Sequence, residues 1–160
     1  MATLFIREPG SRRYRPAQEP EILSTAADLL GRRLVGEPLT TPRDAGEFLR
    51  TRIGKLDYEV FSCLYLDNRH RVLAFDELFR GTINGTAVYP REVVRRALDL
   101  NASALILVHN HPSGDPEPSE ADIAMTKEVQ KACEVLGLAL HDHIIVGAGR
   151  EVSLRGRGDI

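Results

Sequence analysis

The chain has 160 residues, enough for one domain with a core of its own. Its hydrophobic fraction of 42% and charged fraction of 28% are those of an ordinary soluble globular protein. A net charge of -2 argues against nucleic-acid binding driven by whole-protein charge and leaves only a local basic patch open, so any such binding is expected to be weak. No apolar run approaches the roughly 20 residues of a membrane span, and no charged-then-apolar leader opens the sequence, so a cytoplasmic protein without membrane contact is expected. Cys63 and Cys133 lie inside apolar segments and read as buried, reduced thiols rather than a disulfide.

Residues 1–20, with Arg7, Arg12, Arg13 and Arg15 followed by Pro16 and Pro20, show no apolar period and read as a flexible arm. Residues 21–55 read as a helical segment. Ile22, Ala26, Leu29 and Leu30 share one helical face, and Thr41-Pro42-Arg43-Asp44 reads as a second helix start, with Ala45, Phe48 and Leu49 after it. Residues 60–66 and 71–75 read as a hairpin about a polar turn. Pro90 opens a helix with Val93, Val94, Ala97 and Leu98 inward, and residues 104–108 form a buried strand. Residues 112–118 are interrupted throughout by Pro and Gly and cannot be regular. Ser119 caps a further helix that Gly137 ends, with Asp122 three residues on in a capping-box-like position. Residues 139–146 form another strand, and 152–154 a short edge strand. The order predicts an α/β domain around a mixed sheet flanked by helices.

Chemistry concentrates at the end of the strand 104–108, where His109 and His111 stand one residue apart. In an extended chain residues i and i+2 point to one side, so both imidazoles can face one point. Asp122 follows eleven residues after His111. Two His and one Asp are ligands of the kind zinc takes in catalytic sites, with a fourth position left for water. On the residues alone, Asp122 is as readily a helix-start acid that favours the helix dipole by roughly 0.3–1 kcal/mol, and Ser119 is simply the cap.

The pattern H-x-H-x7-S-x2-D resembles the signature of the JAMM (MPN+) metallopeptidases. The string HNHPSGDPEPSEAD, with GTINGTAVYPREVVRRAL before it and DHIIVG after it, looks like the RadC branch of that family, and the likeness runs from about Leu56 to Gly147. The resemblance implies a single JAMM/MPN-like domain over residues 56–160, Zn2+ held by His109, His111 and Asp122, and Ser119 stabilising an oxyanion. It also implies a glutamate well upstream, just before a strand, as general base. Glu59, fifty residues before His109 and directly before Val60, fills that description, and Glu77 is the rival.

His141-Asp142-His143 offers a second H-x-H, but without a spaced third ligand it reads as support for the first. His70 reads as solvated. Gly81-Thr82-Ile83-Asn84-Gly85 lacks the Lys and Ser/Thr of a phosphate loop, and Arg91, Arg95 and Arg96 read as a solvated helix face. The expected activity is a zinc metallopeptidase acting on an amide or isopeptide bond of a peptide or protein substrate. The alternative is a binding module: RadC proteins carry a historical DNA-repair label, and longer members have an N-terminal helix-hairpin-helix part, which residues 21–36 do not show. A metal-dependent nuclease fits less well, because two-metal geometry is usual there.

Overall fold

The computed structural model describes residues 3–39, 43–81 and 88–160. Strands β1 (Phe5–Arg7) and β2 (Tyr14–Pro16) pair antiparallel as a small ribbon. This ribbon lies within residues 1–20, where the sequence shows no apolar period. Three-residue strands carry too short a pattern to register as a period, so pairing rather than sequence defines them. Arg15 pairs with Glu21 at 2.6 Å and ties the ribbon to helix α1 (Glu19–Leu34). The helix opens on a reciprocal cap between Gln18 and Glu21. Thr41 and Pro42, read as a helix start, lie outside the described residues, and α2 (Arg43–Ile53) follows them.

The main sheet is built on β3 (Val60–Leu66), which is buried along its whole length. Burial on both faces explains its unbroken apolar sequence. Val60, Leu64 and Leu66 face α2 through Phe48, Leu49 and Ile53, whereas Phe61, Cys63 and Tyr65 face the opposite layer. β3 pairs antiparallel with β4 (Val72–Arg80), a longer strand than the hairpin reading proposed. The opposite layer holds α3 (Pro90–Asp99), whose Val93, Val94 and Ala97 are buried.

On its other side β3 pairs antiparallel with β5 (Ala104–Asn110). The chain then enters α4 (Glu120–Val135) and returns as β6 (Ala139–Val146), parallel to β5. A parallel neighbour requires such a crossover. β7 (Glu151–Ser153) closes the order β4-β3-β5-β6-β7, and a short helix, α5 (Leu154–Arg157), ends the domain. The sheet is mixed and covered on both faces, as the element order predicted.

Cys63 and Cys133 are both free and buried, and burial pushes their thiols up, that of Cys133 to about 11. Arg95 pairs with Glu92 and Asp99, and Arg96 with Asp76, so α3 presents compensated charge. No helix among the described residues is long and apolar enough to cross a membrane.

Candidate metal centre

β5 extends two residues beyond the sequence estimate and carries His109 and Asn110 within the strand. His109 is almost fully buried, at 1% exposure, with its ring stacked on Phe61 at 6.0 Å. His111 follows just past the strand end, where its backbone N–H donates to the Val146 carbonyl at 2.9 Å. The Pro/Gly loop then folds back over the turn after β6. Gly114 adopts φ +86, and Ala148 N–H donates to its carbonyl at 2.8 Å. Approach here is so close that a Cβ on Gly147 would stand 2.4 Å from the Gly114 carbonyl oxygen. This course delivers Asp122, in the first turn of α4, opposite the two histidines.

The atoms that meet are all lone-pair donors. His109 Nε2 and His111 Nε2 lie 2.9 Å apart, and Asp122 carboxylate oxygens lie 3.3 Å from the first and 3.6 Å from the second. Ligands on a tetrahedral zinc at ordinary bond lengths stand roughly 3.3 Å from one another. The three separations bracket that distance. His111 Nδ1 sits 2.8 Å from the Asp115 carbonyl oxygen. A carbonyl only accepts, so Nδ1 carries the His111 proton and the neutral ring presents its Nε2 lone pair to the cluster. The donor set therefore fits Zn2+.

Electrostatics agree with a cation-seeking site. Burial alone would raise Asp122, but the imidazoles of His109 and His111 beside it outweigh burial and hold the carboxyl well below the usual range. His111 is raised, chiefly because its protonated ring can donate to the Asp122 carboxylate, with burial opposing and the charge of Glu59 contributing.

Glu59 lies just before β3. Phe61, two residues on, pairs with His109, and the charge of Glu59 is felt at His111. Glu77 is elsewhere. It sits exposed on β4, paired with Arg52 at 3.1 Å, and borders a groove of about 500 Å3 together with Leu23, Lys55 and Tyr58. Ser119 performs the capping the sequence predicted: its Oγ accepts from Asp122 N–H at 3.1 Å. It also donates to the Asp122 carboxylate at 2.6 Å, so one hydroxyl both starts α4 and steadies the acid.

Asp142 accepts from Ser153 Oγ at 2.6 Å and from the backbone N–H groups of His143 and Arg155, which ties β6 to the C-terminal turn. His70, read as solvated, is exposed, with its ring edge-on to His141 at 4.8 Å. His143 points inward, with Nε2 2.8 Å from His109 Nδ1, and burial first and the neighbouring His109 second keep it well below the usual range. Gly81 is described, but residues 82–85 of the turn read beside it lie outside the described residues.

Two residues at the site escaped sequence reasoning. Asn110, between the two histidines, accepts from Val60 N–H at 2.8 Å and donates to the Tyr58 carbonyl at 3.0 Å. It thereby clamps the backbone on both sides of Glu59. Thr126 is buried four residues after Asp122, on the same helical face, and its hydroxyl donates to the Asp122 carbonyl at 2.5 Å. The signal for Thr126 was a lone polar residue among the inward positions Met125 and Val129. Asn110 had no signal beyond its place in the motif.

A family model described as RadC-like JAB domain matches residues 39–159. A UPF0758 protein of Marinobacter nauticus is 53% identical over 123 residues, covering 77% of this chain and 55% of the relative. UPF0758 proteins of Xanthomonas oryzae and Thioalkalivibrio sulfidiphilus are each 51% identical, covering 85% and 86% of this chain and 63% and 61% of the relatives. The chain thus spans less than two thirds of the length of these relatives. A match over most of the sequence, on a mixed sheet that gathers two histidines and an aspartate, places this chain in the RadC-like JAB domain family.

Proposed function

We propose that the chain is a zinc-dependent hydrolase of the JAMM type, cleaving an amide or isopeptide bond in a peptide or protein. The observation that carries this reading is the convergence of His109 Nε2, His111 Nε2 and the Asp122 carboxylate, with the His111 proton turned away onto a carbonyl. Lone pairs at such separations repel unless a cation or a proton lies between them.

His109, His111 and Asp122 would hold Zn2+, which supplies a polarised water of lowered pKa and a Lewis acid for the scissile carbonyl. Glu59 takes a proton at its carboxylate and returns it to the leaving amine, a role that its place just before β3, with its charge felt at His111, supports. Asn110 keeps that carboxylate in place through the Tyr58 and Val60 backbone. Ser119 stabilises the developing oxyanion with its hydroxyl by turning the proton from Asp122 toward the substrate.

The test is cleavage of a mixed peptide and isopeptide library, read by mass spectrometry, with zinc-loaded protein, chelator-treated protein and Glu59→Gln. Cleavage confined to the loaded, unaltered protein supports the reading. Zinc binding with no cleavage above the Glu59→Gln control overturns the enzyme in favour of a metal-binding interaction module.

A further inference from the structure

Behind the metal-facing atoms lies a series of hydrogen bonds whose directions are fixed from one end. The Asp122 main-chain carbonyl cannot donate, so the Thr126 hydroxyl donates to it, at 2.5 Å. The Thr126 oxygen is then left to accept, and the group 2.6 Å from it is His143 Nδ1. His143 therefore carries its proton on Nδ1 and has a lone pair on Nε2. That lone pair faces His109 Nδ1 at 2.8 Å, so His109 also carries its proton on Nδ1 and keeps Nε2 bare. Thr126 and His143 are both wholly buried, so water does not substitute for either partner.

A backbone irregularity aims His143. The β5–β6 register runs Leu105 to Leu140 and then Ile106 to Asp142, so His141 is an extra residue on β6. A one-residue slip reverses the face of every side chain after it. Without it, His143 would pair with Val108 and face α2. With it, His143 pairs with Leu107 and turns to the face of His109 and Phe61.

We infer that Thr126 and His143 are positioning residues that select the metal-binding tautomer of His109, an inference that rests on the zinc reading above. A ligating histidine ordinarily hands its second N–H to a carboxylate, a carbonyl or a water. Here an uncharged imidazole takes it, and the series ends on Asp122, itself one of the three metal-facing groups. One residue thus sets both the acid and, through two intermediaries, the ring it faces. Removing the Thr126 hydroxyl leaves His143 Nδ1–H without an acceptor. The His143 proton then moves to Nε2 and points at His109 Nδ1, which must accept it. The His109 proton is driven to Nε2, where it occupies the metal position.

The experiment compares Thr126→Val with Thr126→Ser in the full chain. Zinc affinity is read by competition with a chromophoric chelator, and the His109 tautomer by 15N NMR of the zinc-free protein at mildly alkaline pH. Thr126→Val is expected to weaken zinc by about 10–100-fold and to move the His109 proton to Nε2, while Thr126→Ser stays close to the unaltered protein on both readouts. Unchanged zinc affinity in Thr126→Val, or an Nε2 proton on His109 in the unaltered zinc-free protein, overturns the inference. So does a serine variant as impaired as the valine one. If the unaltered protein takes up no zinc, the zinc reading fails, and the NMR result decides the relay alone: a proton on Nδ1 supports it and a proton on Nε2 refutes it.

Discussion

Replacing Asn110 by alanine tests how the site is assembled as well as how the domain is held together. The side chain is 1% exposed, and its two hydrogen bonds join the end of β5 to the start of β3. Truncation removes both. Val60 is buried, so its N–H loses the Asn110 oxygen where water does not readily replace it, while the half-buried Tyr58 carbonyl is more easily rehydrated. A buried donor left unmade costs about 1–3 kcal/mol, and a lost hydrogen bond that water partly restores adds about 0.5–1. A domain of this size shifts in Tm by about 2–4 °C per kcal/mol. The expected loss is therefore about 3–16 °C, read by calorimetry of the zinc-loaded variant. Zinc content should stay near that of the unaltered protein, because Asn110 is not among the metal-facing groups, while hydrolysis should fall as Glu59 loses its anchored backbone. A variant that melts within about 1 °C of the unaltered protein, or that loses zinc before it loses activity, would refute the assembly argued here.

Glu59→Gln should keep the fold and the metal but lower hydrolysis by ~100-fold or more, while Glu77→Gln, which removes only an exposed contact with Arg52, should do little; the reverse ranking in steady-state rates would move the general base to Glu77. Gly147→Ala should cost about 1–3 kcal/mol in urea unfolding and weaken metal binding, because its Cβ would drive into the Gly114 carbonyl under the metal loop; an unchanged midpoint would count against the loop packing. In metal-free protein, His143 and His141 are depressed, chiefly by burial, so the unfolded chain takes up their protons first. Stability should then fall as pH drops below about 6.5, with a limiting slope of about 1.4 kcal/mol per pH unit per group. His111 is raised by Asp122, so its contribution is present below about pH 6.5 and is lost as pH rises through its folded-state value. Because the two contributions oppose each other, the midpoint is followed in chelator with His111→Gln, and one that does not fall between pH 8 and pH 5 would contradict the assignment of His141 and His143.

Much of this domain is legible in the amino-acid sequence. The continuous apolar run of residues 60–66 announces a strand buried on both faces, and the Pro/Gly interruption between His111 and Ser119 announces a loop that must turn back. The spacing of His109, His111 and Asp122 is local enough to suggest convergence. What sequence does not carry is pairing. Glu59 stands just before β3 and Glu77 within β4, and only the pairing of the strands, Phe61 against His109, separates the glutamate near the histidines from the one turned toward Arg52. His143 reads as a supporting residue, yet the bulge that aims it leaves no mark in composition. The ribbon of β1 and β2 was missed for the same reason: three residues per strand give no period, and only the partner strand makes them regular.

The most direct test of the account is the zinc content of the purified protein after dialysis against a weak chelator, compared with His109→Ala and His111→Ala. About one zinc per unaltered chain is expected, with loss of it in each variant, because a catalytic zinc site relies on three protein ligands and each substitution leaves two. An unaltered protein that holds no zinc, or a variant that keeps its full complement, would contradict the assignment of this cluster as the metal centre.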